Sequence, residues 1–100
     1  MQPWIYEELA QLMNNESRLI GCQVINGRIV LVFENFVVRE IDLFTFEERK
    51  PINLLQINGL KDLEETAVDV AVDKELEAIA IATPMFIYIF DFTYQYQAKI

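Results

Sequence analysis

Histidine is missing from this chain, and cysteine occurs once, as Cys22. The first absence removes the commonest general acid–base group and the commonest metal ligand. The second excludes an internal disulfide and a zinc site built from cysteines. A lone thiol between Gly21 and Gln23, with no imidazole to activate it, reads as a small buried hydrophobe in a reducing compartment. Glycine and proline are scarce, three of each, so the chain does not have a disordered composition. Gly21, Gly27 and Gly59 stand apart, which leaves no glycine-rich loop to cradle phosphates. No apolar run approaches the ~20 residues of a membrane-spanning helix. Basic residues are outnumbered, eight against sixteen acidic ones, and the formal charge of −8 repels nucleic acid and anionic membranes. The first seventeen residues carry Glu7, Glu8 and Glu16 and no Lys or Arg, unlike the basic start of a secretory signal. A soluble, cytoplasmic, single domain over residues 1–100 is therefore expected.

What remains is a chain that is 53% hydrophobic, with its apolar residues mostly in strand patterns. One amphipathic helix is predicted over about 3–14, where Ile5, Leu9, Leu12 and Met13 repeat at helical spacing behind Pro3. Strand patterns follow over 18–25, 28–34 and 36–44, the first two joined by Asn26-Gly27, a strong hairpin signal. Residues 45–65 form a connecting segment broken by Pro51 and Asn58-Gly59. A second meander covers 66–97. Within it Ala78, Ala80 and Ala82 share one strand face, which favours close approach by another element, the N-terminal helix being the candidate. The fold class is thus α+β, mainly β: a helix followed by two antiparallel three-stranded meanders, about six strands in all.

Six aromatics occupy alternate positions near the C-terminus: Phe86, Tyr88, Phe90, Phe92, Tyr94 and Tyr96. In one extended strand they all face one way, and such side chains dominate core and interface energetics. The alternation favours a single strand through Tyr96, which would have to bend or reach a partner chain with its far end.

Residues 26–43 align without a gap on 75–92 at a constant offset of 49. Val70, Asp73, Ala78–Ala82 and Ile87–Asp91 follow the order of a V-x-V strand, an Asp turn, a small-residue strand and an I-x-I-F-D strand. Residues 67–92, and more faintly 24–46, thereby resemble blades of the tryptophan–aspartate repeat β-propellers. Phe90-Asp91 stands where that family has Trp-Asp, and no Gly-His pair precedes the blade. The resemblance implies an alternative architecture of two propeller-like blades, with a turn near Asp91-Phe92-Thr93. A propeller typically closes with four to eight blades, so two would form part of a ring.

No catalytic, cofactor-binding or metal-ligating constellation emerges. Asp69, Asp73, Glu75 and Glu77 lack the glycine-bearing loop of a calcium site and read as outward strand charges. The expected function is a non-catalytic protein–protein interaction domain that self-associates, a dimer first, through Phe86, Tyr88, Phe90, Phe92, Tyr94 and Tyr96. The alternative is a small acidic inhibitor or immunity-type protein that covers a basic surface with Glu47, Glu48, Asp62, Glu64 and Glu65.

Overall fold

The computed structural model describes residues 17–60 and 62–100, so the helix expected over about 3–14 lies outside the described residues. The first antiparallel sheet runs in chain order through β1 (Leu19–Ile25), β2 (Arg28–Phe33), β3 (Val37–Asp42) and β4 (Ile52–Asn53). A single helical turn, α1 (Leu54–Ile57), leads into the connection. The second sheet repeats the order with β5 (Asp69–Asp73), β6 (Ala78–Ala82), β7 (Ile87–Asp91) and β8 (Tyr96–Lys99). Among the described residues the chain is mainly β, and the two sheets do not close a barrel or a propeller. Each meander has four strands where the sequence pattern suggested three.

The Asn26-Gly27 hairpin forms as expected, with φ of 49° and 76° at the two turn residues. Those positive angles match the right-handed twist of the flanking strands. The fourth strand of the first sheet was hidden by Pro51 just before it. Val38 pairs with Ile52 and Val37 with Asn53, so the proline sits at the strand's start, where a ladder donor is not required. Asn53 then caps α1, its side chain accepting from the N–H groups of Leu55 and Gln56.

The uninterrupted aromatic strand does not exist. The backbone turns after Asp91, and Tyr94 takes φ +67°. The Asp91 carboxylate accepts from the Thr93 and Gln95 N–H groups and from the Thr93 hydroxyl, which fixes the reversal. Asp42 ends β3 in the same manner, accepting from the Phe44 and Thr45 N–H groups, with Phe46 at φ +60°. In both sheets the backbone N–H of the aspartate is bonded to the returning chain, at Glu47 O and Gln95 O. Asp42 and Asp91 are therefore structurally equivalent.

That equivalence defines matching faces. We call front the face that carries Asp42 in one sheet and Asp91 in the other. Register puts Gly21, Gln23, Ile25, Val30, Val32, Val38 and Glu40 on the first front. It puts Asp69, Ala71, Asp73, Ala78, Ala80, Ala82, Ile87 and Ile89 on the second. The offset of 49 holds for β3 against β7 but not for β2 against β6. Val32 and its partner Val38 are separated by five residues, Ala82 and Ile87 by four, so Val30 and Val32 match Ala80 and Ala82. The alignment without a gap had set them against Ile79 and Ile81.

The sheets stack front to back. The first front meets the back of the second sheet, where Val70, Ile79, Ile81, Tyr88 and Phe90 complete one core with Ile25, Val30, Val32, Phe36, Val38 and Leu54. β1 and β5 approach so closely that a Cβ added to Gly21 would lie 1.9 Å from Val70 Cγ1. Only a residue without a side chain permits that spacing. A smaller cluster, Leu31 and Phe33 with Leu19, Ile29, Val37 and Ile41, occupies the back of the first sheet.

Candidate interaction surfaces

The aromatic residues proposed as an interface divide between core and surface. Tyr88, Phe90 and Tyr94 are buried, while Phe86 and Phe92 pack against the core and are partly covered. Tyr96, at 37% exposed, reaches the surface and meets the Phe90 ring edge-on at 6.0 Å. Phe36 and Tyr88 meet at 5.8 Å in the same T-shaped arrangement, which joins the two sheets. Lys99 Nζ covers Phe86 at 4.4 Å from its centroid.

Both buried phenols donate to glutamates. Tyr94 donates to Glu40 on the first front, and Tyr88 donates to Glu65 in the connection. Burial is the main cause that pushes the Tyr88 hydroxyl up to about 12, with the Glu65 hydrogen bond adding to it. Burial also pushes Tyr94 upward, followed by its bond to Glu40. Glu40 is itself 3% exposed and has Arg28 Nε at 3.0 Å and Arg49 Nη1 at 3.8 Å. The Arg28 Nε–H makes no aligned hydrogen bond, so that contact is coulombic. These groups hold the sheets together through a charge that is desolvated but neutralised. Asn58 adds a polar tie, donating to Leu54 O and Tyr94 O and accepting from the Tyr96 N–H.

The five acidic residues proposed as a contact face are not equally available. Glu65 accepts from the Thr83 hydroxyl at 2.7 Å as well as from Tyr88. Glu48 is paired with Arg39 at 2.8 Å. Glu47, Asp62 and Glu64 are exposed. Glu64 and Glu65 line a groove with Glu34, Asn35 and Leu55, whereas Glu47 and Glu48 belong to the loop between β3 and β4. Cys22 is exposed, not buried as expected, as is Val24 on the same face of β1. Partial desolvation pushes its thiol upward, the opposite of an activated nucleophile. Among the described residues, no group of three or more Cys, Asp or Glu is placed to hold a metal ion. No helix among them is long and apolar enough to cross a membrane.

The front of the second sheet, of which sequence reasoning noticed only the alanines, is the remaining surface. Its rows are set by register: Asp69, Ala82, Ile87 and Ile100 at one end, then Ala71, Ala80, Ile89 and Ala98. Ile87 is 40% exposed and Ile100 75%. Ala71 is exposed as well, and a shallow groove runs over Ala71, Ala80 and Ala82 beside Ile87. The signal lay in the alternation of Ala78, Ala80 and Ala82 with Ile79 and Ile81, because the larger residues take the interior. No model of a protein family, no curated protein and no solved structure matches this chain.

Proposed function

We propose that the chain is a non-catalytic protein–protein interaction domain that self-associates, with the second sheet as its contact element. The observation that carries this reading is the open front of that sheet. Ile87 and Ile100 stand exposed in one row with Ala82, next to an exposed Ala71, while the matching front of the first sheet is buried. A contiguous apolar face on a small domain marks either a binding surface or an aggregation liability. The aromatics support the same hairpin from behind, so the adhesive side of β7 and β8 is opposite to the one their spacing suggested. Ala98 and the exposed β8 edge extend the surface.

Sedimentation equilibrium between about 10 μM and 1 mM, at low and high salt, tests the reading. Two chains of charge −8 repel, so dimerisation should strengthen as salt screens them. A chain that stays monomeric throughout would sink the proposal. An acidic inhibitor would behave differently, binding a basic partner more weakly as salt rises.

A further inference from the structure

We infer that the front of the second sheet is covered by the same face of a second copy, about a two-fold axis parallel to the strands between β6 and β7. This rests on the self-association reading and adds its geometry.

The face is stepped. Ile87, Ile89 and Ile100 make a ridge along β7 and β8, and Ala71, Ala78, Ala80 and Ala82 make a trough along β5 and β6. Closely packed interfaces set large side chains against small ones. An axis along the strands sets β7 of one copy over β6 of the other. Ile87 then meets Ala82 and Ile89 meets Ala80, each contact occurring twice because the interface is isologous.

Charge selects the same axis. The carboxylates of the face lie at its margins, Asp69 and Asp73 at the two ends of β5 and Asp91 at the end of β7. With the axis along the strands they fall opposite Ile100, Gln97 and Ala78 of the second copy, never opposite each other. Gln97 is on this face, since its amide donates to Asp91 Oδ2 at 3.0 Å. With an axis across the strands, Asp69 would oppose Asp73, Ile87 would oppose Asp91 and Ile89 would meet itself. That arrangement sets like charges together and ridge on ridge.

Four strands about 4.8 Å apart and about five residues long give a footprint of roughly 300 Å² per copy. Standard interfaces bury roughly 800 Å² per partner, so this contact belongs with weak, reversible ones.

The test uses two variants that break the fit from opposite sides. Ala80→Ile fills the trough, and Ile89→Ala removes the ridge. Each should raise the dissociation constant of the homodimer at least about tenfold, because each defect occurs twice. Mixed in equal amounts they should form a heterodimer within about threefold of wild type. There the enlarged side chain of the first variant meets the shortened one of the second, and the other contact is unaltered. Far-UV circular dichroism and urea midpoints establish that both variants fold. If wild type dimerises and neither variant changes its affinity, the pairing through this face is overturned and self-association stands. If both weaken it but the mixture is no tighter than either alone, the axis is wrong. A monomeric wild type overturns both readings.

Discussion

The two sheets have the same strand order, the same antiparallel pairing and the same aspartate-built turn after the third strand, yet only the first buries its front. Matching positions explain the difference. Where the first sheet has Gly21, Gln23 and Ile25 on its first strand, the second has Asp69, Ala71 and Asp73. Where the first has Val30 and Val32, the second has Ala80 and Ala82. Small side chains gain little from burial, and unpaired carboxylates resist it. Topology therefore repeats the unit, while side-chain volume and charge decide which of its faces closes.

The sharpest contrast is Glu40 against its counterpart Ile89. Glu40 accepts from Tyr94 and neutralises Arg28 in the interior. Glu40→Ala leaves both without that partner and should cost about 3 kcal/mol in urea unfolding. Ile89→Ala, on the partly open front, should cost about 1 kcal/mol or less. Equal losses would mean that the second front is as well closed as the first, and the comparison would fail.

Legibility in the sequence follows the same division. The Asn26-Gly27 hairpin and the strand patterns around it were readable because turn chemistry and alternation agreed. The reversal at Asp91 was not, since no glycine or proline marks it. A carboxylate makes that turn, and Tyr94 takes a positive φ that tyrosine seldom adopts. The aromatic alternation ran straight through it, so residues of two strands and the turn between them looked like one face of a single strand. The repeat offset slipped in β2 because Val30 and Val32 were matched to Ile79 and Ile81 by similarity, whereas register makes them equivalent to Ala80 and Ala82. For the same reason the alanine face was noticed but not its isoleucine ridge.

A smaller effect separates Gly21 from its counterpart Asp69. Gly21→Ala forces a methyl group against Val70 and should destabilise by about 2 kcal/mol. In a Val70→Ala background the obstructing Cγ1 is gone and the nearest remaining atom is 3.4 Å away, so the same change should cost well under half as much. Asp69→Ala, on the open front, should change stability by less than about 0.5 kcal/mol. Urea midpoints of the four variants measure all three differences. If Gly21→Ala costs the same with and without the Val70 side chain, close approach of β1 to β5 is not what the glycine serves.

The smallest effect concerns the aspartate-built turn that both sheets contain. Phe44 and Thr45 N–H groups lower the Asp42 carboxyl, and the Thr93 hydroxyl followed by the Gln95 N–H lowers Asp91. A carboxyl depressed in the folded state stabilises it above the ordinary value of 3.8, and that contribution is lost as pH falls through the folded value. Asp91 has the larger task, because it also accepts from Gln97 and holds the turn that delivers Tyr94 to Glu40. Asp91→Asn should therefore flatten the fall of Tm between about pH 5 and pH 2 more than Asp42→Asn does. Thermal melts across that range decide it. Equal flattening would make the two turns interchangeable, and the second sheet would then depend on Asp91 no more than the first depends on Asp42.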